Sequence, residues 1–237
     1  MKLSDIIGNG SIGIIAAMDS EMEILKNAIV NRKEETIAQT TFHTGRIGNH
    51  EVVLTRSGIG KVSAALSSQI LISNFHVACI FNTGCAGGLG EGLHIGDFVV
   101  STSTAEWDID IEPIGLPRGF VSALGVTEMK ADLRLAEVVK AAIPSQEKVY
   151  EGLIVSGDQF IHKEEQRQII QKHFSKALCA EMEGGAIGHV CLQNGIPFCI
   201  IRCLSDTADG ESSVKFEEFS AIAGEKSGEI MIRMLND

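Results

Sequence analysis

Short apolar runs rich in valine and isoleucine alternate along the chain with longer stretches in which apolar residues recur at helical spacing. The alternation predicts strands over 12–17, 51–56, 77–82, 97–103, 148–155, 177–181 and 197–204. It predicts helices over 20–30, 61–74, 131–143, 163–173, 184–194 and 216–235. Strands interleaved with helices imply an α/β class, a mixed central sheet flanked by helices in a single domain spanning 1–237. Ser20 with Glu23 three residues on has the spacing of a capping box, and Gly195 stands where a helix C-terminus needs positive φ. Gly8-Asn9-Gly10-Ser11-Ile12-Gly13 matches the spacing of a dinucleotide fingerprint, but it precedes the first strand instead of following one. Residues 1–11 are therefore expected to be a loosely ordered lead-in.

Composition narrows the partners. A length of 237 residues suits one α/β domain, and 44% hydrophobic residues, 22% charged residues and only 4 prolines leave no signature of a disordered arm. A net charge of -11 repels phosphate backbones and anionic lipid, so neither nucleic acid nor membrane is an expected partner. The apolar stretch from Ile12 to Met18 is too short to span a bilayer and runs into the acidic Asp19 to Glu23, which makes the cytoplasm the expected location. Cys79, Cys85, Cys179, Cys191, Cys199 and Cys203 form no C-x-x-C pair and the seven histidines are dispersed, so the cysteines read as buried reduced thiols and no metal is expected.

Ligands of open α/β sheets gather beyond the carboxyl ends of strands. Ala16-Ala17-Met18-Asp19-Ser20-Glu21-Met22-Glu23 puts three acids across a strand-to-helix junction, where they also complement the helix dipole. Asn82-Thr83-Gly84-Cys85-Ala86-Gly87-Gly88-Leu89-Gly90 lets backbone amides approach a ligand, although a tight turn explains it equally, and it lacks the Lys-Ser/Thr ending of a phosphate loop. Gly157-Asp158-Gln159-Phe160-Ile161 presents an aromatic that suits a flat ring or the core. Ala180-Glu181-Met182-Glu183 places two acids on alternate faces, one suited to a ribose diol and one to a structural role, or both to capping the next helix. Arg202-Cys203-Leu204-Ser205-Asp206-Thr207-Ala208-Asp209 leaves a buried strand with a cation, a hydroxyl and two carboxylates, and the desolvation expected at Asp206 favours a proton donor.

Taken in this order, with Ser57-Gly58-Ile59-Gly60-Lys61-Val62 and Val155-Ser156-Gly157-Asp158, these segments resemble the 5′-methylthioadenosine/S-adenosylhomocysteine nucleosidases of the purine nucleoside phosphorylase-like superfamily. The resemblance implies hydrolysis of a nucleoside's N-glycosidic bond, with no cofactor, in a homodimer. It implies that Glu21 activates water, Asp206 protonates the purine 7-nitrogen and Glu183 holds the ribose hydroxyls. It further implies that Arg202 places the water and keeps the Glu21 side anionic, and that Ser205 orients Asp206. Phe160 and the backbone of Ile161 would form the adenine slot, with Gly87, Met182 and Phe216 along the ribose and 5′ side, and Ile59 and Cys85 completing the set.

Two departures stand out. Cys85 occupies a position that is serine in many members, and the segment from Trp107 to Phe120 is short beside the loop by which many members complete a neighbour's 5′ site. A phosphorylase would use arginines such as Arg56 and Arg202 on phosphate, yet a carboxylate at Glu21 repels that anion. A noncatalytic nucleoside binder would not need Glu21, Glu183 and Asp206 together. Among hydrolase substrates, 5′-deoxyadenosine and aminodeoxyfutalosine share the adenine and ribose that the motifs read.

Overall fold

A computed structural model describes residues 1–207 and 212–236, so Asp209 lies outside the described residues. Strand β1 (Ile12–Ala16) lies between β4 (His50–Arg56) and β5 (Cys79–Gly88), parallel to both. Every residue of β1 is buried. Ile12, Ile14 and Ala16 pack with Leu25 of α2 (Asp19–Ala28) and Met231 of α7 (Ser212–Asn236). Ile15 packs on the other face with Leu71 of α3 (Lys61–Ser73) and Ile187 of α6 (Gly184–Asn194). In β10 (Phe198–Asp206), Cys199, Ile201 and Cys203 take the first face and Phe198, Ile200 and Leu204 the second. Two-sided burial of this kind makes such strands continuous apolar runs in sequence, covered by helices on both faces.

The sheet also curls. β10 pairs parallel with β5 and antiparallel with β6 (Phe98–Glu106), β6 pairs with β8 (Val149–Ser156), and β8 with β9 (Ala177–Glu181). β9 returns antiparallel onto the end of β5, which closes these five strands on themselves. Gly87 thereby stands opposite both Ala180 and Asp206, so the ends of three strands that carry the candidate acids converge. A register shift between Leu204 and Asp206 re-aims the last residue of β10 at this meeting point.

Several elements differ from expectation. β2 (Val30–Ile37) and β3 (Thr40–Ile47) form an unexpected antiparallel hairpin at the sheet edge. β2 is exposed over nearly its whole length, and a polar edge strand lacks the alternation that marks a half-buried one. β5 runs on through Gly88, so the glycine-rich stretch is strand rather than turn. A two-residue strand, β7 (Met129–Lys130), pairs with β6. Within the expected loose lead-in, α1 (Ser4–Ile7) makes one helical turn and Leu3 is buried. Helix α2 begins at Asp19, so Ser20 and Glu23 form no capping box; Glu21 instead turns back on the amides of Ala17 and Met18. Gly195 does cap α6, with φ of 68°. Of the two remaining helices, α4 (Leu133–Ala142) packs on α7, and α5 (Glu164–His173) places Ile170 in a third cluster with Trp107. Among the described residues no helix is long and apolar enough to cross a membrane.

Helix α6 sits close to the sheet because Gly188 has no side chain: a Cβ there would stand 2.5 Å from Thr104 Oγ1 and 2.8 Å from the Phe198 ring. Gly188→Ala is expected to cost about 2 kcal/mol by overpacking and to lower Tm by about 4–8 °C. An unchanged thermal melt contradicts that packing.

Candidate active site

A pocket of about 220 Å³ opens where the strand ends meet, and Glu21, Glu183 and Asp206 all line it. Each of these carboxyl groups is at most 5% exposed. A smaller chamber of about 30 Å³ adjoins it, bordered by Phe160, Ile161, Met182 and Asp206. Asp206 thus borders both spaces, whereas Glu21 and Glu183 border only the larger.

Glu21 is held at the start of α2 by the chain's own turn. Its Oε2 accepts from the amides of Ala17 at 2.8 Å and Met18 at 3.0 Å, and its Oε1 accepts from the amide of Cys85 at 3.1 Å. The Cys85 thiol adds a weak donor at 3.5 Å. Burial, reinforced by the Glu21 charge, pushes that thiol well above its ordinary range. Gly84 makes the approach of Glu21 feasible, since a Cβ there would lie 2.5 Å from its Oε1.

The two acids of the β9–α6 junction have separated roles. Glu181 turns inward, where it accepts from the guanidinium of Arg202, the hydroxyl of Ser156 and the amides of Glu183 and Gly184. Glu183 faces the pocket and accepts from the amide of Gly60 at 2.9 Å, with Arg202 Nη2 at 3.8 Å. Burial, with the neighbouring Glu181 charge behind it, pushes Glu183 up to about 8, against the opposing pull of Arg202 and the Gly60 amide. At the end of β10, Ser205 donates to Asp206 Oδ2 at 3.1 Å.

Arg202 is 1% exposed and lies beneath the pocket rather than in its wall. Its hydrogen bonds go to Glu181, Asn82 and the carbonyl of Ile201, so the expected direct partnership with Glu21 is replaced by one with Glu181. Of the remaining sequence candidates, Gly87, Met182, Cys85, Ile59 and Phe216 line the larger pocket. Phe160 borders both chambers and meets Phe216 edge-on at 5.3 Å. Trp107 is buried in its own subunit's core, while Ile114 farther along that segment is 75% exposed.

Residues 11–236 match the model of the phosphorylase superfamily. The 5′-methylthioadenosine/S-adenosylhomocysteine nucleosidase of Staphylococcus saprophyticus is 44% identical over 94% of this chain and 98% of its own. The chain belongs to this nucleosidase family. The crystal structure of the Neisseria meningitidis nucleosidase in complex with methylthio-immucillin-A superposes with a TM-score of 0.92 at 37% identity, covering 96% of this chain and 99% of that one. The native futalosine hydrolase of Helicobacter pylori also superposes, with a TM-score of 0.90 at 31% identity over 96% of this chain and 98% of that one.

Beneath this nucleosidase family's motifs lies a support that single-segment reading misses. Asp158 accepts from the amide of Lys61 at 2.7 Å, and the Lys61 ammonium reaches Glu106 at 3.0 Å and Asp108 at 2.6 Å. These contacts fix the turn that offers the Gly60 amide to Glu183, and Gly60 takes φ of 102°, a conformation glycine permits. Burial disfavours the charge on Lys61, but Asp108 and Glu106 outweigh it and hold the ammonium above its ordinary value. The repeated Gly58-Ile59-Gly60 was the only sequence signal of this turn, because its partners lie 97 and 123 residues away.

The raised value of Glu183 sets a pH dependence. As pH rises past the ordinary carboxyl value of 4.5, the unfolded chain loses this proton while the folded chain keeps it, so stability falls up to about 8. Glu183→Gln removes that loss. Its Tm advantage over wild type should be about 3–6 °C larger at roughly pH 8.5 than at roughly pH 5. An equal difference at both pH values would refute the assignment.

Proposed function

We propose that this enzyme hydrolyses the N-glycosidic bond of 5′-methylthioadenosine and S-adenosylhomocysteine, releasing adenine and the 5′-thioribose product. The observation that carries this is the convergence of three buried carboxyl groups, each held differently, on one pocket of about 220 Å³. Glycosidic cleavage through an oxocarbenium-like state needs a proton for the leaving base and an activated water at the sugar. Asp206, which borders the small chamber beside Phe160 and Ile161, is the proton donor to the 7-nitrogen of adenine in this reading. Glu21, clamped by three backbone amides, is the base that takes a proton from water. Glu183, protonated at neutral pH, brings one donor and one acceptor to the ribose diol.

Hydrolysis rather than phosphorolysis is supported by charge. Arg202 is committed to Glu181 and lies outside the pocket wall, so the carboxyl groups that line the cavity have no free guanidinium to hold phosphate beside them. The likeness to futalosine hydrolase supports a second substrate reading, aminodeoxyfutalosine, which keeps adenine and ribose and changes the 5′ group. Two copies associate in this reading through the exposed Ile59, Val62 and Leu66 around the start of α3. The six unpaired cysteines support a reducing cytoplasm. A methylthioribose product supports a place in methionine salvage.

Asp206→Asn is expected to lower the rate of adenine release by about 10²–10⁴-fold while leaving the dissociation constant for methylthioadenosine within a few fold. Glu21→Gln should cause a comparable loss of rate with unimpaired binding. Near-normal turnover in either variant removes that residue from the chemistry.

A further inference from the structure

A second, polar pocket of about 410 Å³ lies between α2, the β2–β3 hairpin and the end of β4. The two pockets share their walls residue by residue. Met18 and Ile59 line the nucleoside pocket, and their chain neighbours Asp19 and Gly58 line the polar one. With adenine seated at the small chamber by Phe160 and Ile161, the opposite end of the nucleoside, its 5′ substituent, points toward Met18 and Ile59. A substituent long enough to pass these two side chains enters the polar pocket.

The charges there are balanced. Asp19 and Glu34 supply two carboxylates, and Lys26 and Arg56 supply two cations. Such a lining repels neither end of a zwitterion, whereas the cluster of acids around the nucleoside pocket disfavours anions. Arg56 Nη1 meets Asp19 Oδ2 at 3.2 Å, with side chains 52% and 75% exposed. A pair so exposed is weak, and a ligand carrying both charges can replace it with two pairs at little cost.

We propose that this pocket is the subsite for the amino-acid end of S-adenosylhomocysteine, with Arg56 taking its α-carboxylate and Asp19 its α-ammonium. The assignment rests on the nucleosidase reading and extends it to substrate choice. Methylthioadenosine ends in a methyl group at the sulfur and does not reach the pocket. The two substrates therefore draw on the same acids for chemistry and differ only in this contact.

The test compares adenine release from both substrates, and from 5′-(3-aminopropylthio)adenosine, in wild type, Arg56→Ala and Asp19→Asn. Arg56→Ala should raise KM for S-adenosylhomocysteine about tenfold and leave kcat and every constant for methylthioadenosine within about twofold. The aminopropyl compound, which has an ammonium but no carboxylate, should respond to Asp19→Asn and ignore Arg56→Ala. Equal effects on all three substrates, or no effect on S-adenosylhomocysteine, overturn the subsite while leaving the nucleosidase intact. Wild-type turnover of methylthioadenosine without turnover of S-adenosylhomocysteine also overturns it. Absence of adenine release from any of them overturns the nucleosidase reading and the subsite with it.

Discussion

Arg202 and Glu181 form a buried ion pair at the junction of β10, β9 and β5, and the geometry of the site depends on it. Removing either partner from such a pair leaves an uncompensated charge in the interior, a loss of about 3–5 kcal/mol. The pair also satisfies what surrounds it. Glu181 takes the first amides of α6, which sets where Glu183 emerges, and Arg202 takes Asn82, whose own amide holds the carbonyl of Ile15 on β1. Three strands that end in chemistry are thus tied together below the pocket by side chains that never enter it.

This arrangement explains how four acidic residues crowd one site without repelling it apart. Glu181 is neutralised by the guanidinium, Glu183 holds its proton to about 8, and Glu21 is wrapped by amides. Asp206 sits apart from Glu21 in function as well as in surroundings, with a hydroxyl neighbour and access to the chamber where a flat base fits. A superfamily named for phosphorolysis can host hydrolysis by this route, because the space where phosphate would need cations is walled by carboxyl groups.

The sequence made the two-faced strands and their helices legible because burial on both sides writes uninterrupted apolar runs, as in Phe198 to Leu204. The polar edge strand from Val30 to Ile37 left no such trace, since its pairing is all backbone. Glu21, Glu183 and Asp206 were legible from their positions at strand ends. Which of Glu181 and Glu183 faced the pocket was not, because alternation across Met182 fixes opposite faces without saying which is inside. The partner of Arg202 was likewise hidden: its guanidinium reaches Glu181 and Asn82, 21 and 120 residues away, contacts that only the closure of β5, β9 and β10 creates.

The central claim is that water, not phosphate, accepts the ribosyl group in a pocket walled by carboxyl groups. Adenine release from methylthioadenosine, followed in rigorously phosphate-free buffer and again with phosphate added, tests it most directly. The account predicts the same rate in both buffers and a free thioribose as the second product. Release that begins only when phosphate is added, with a thioribose 1-phosphate formed, would contradict it.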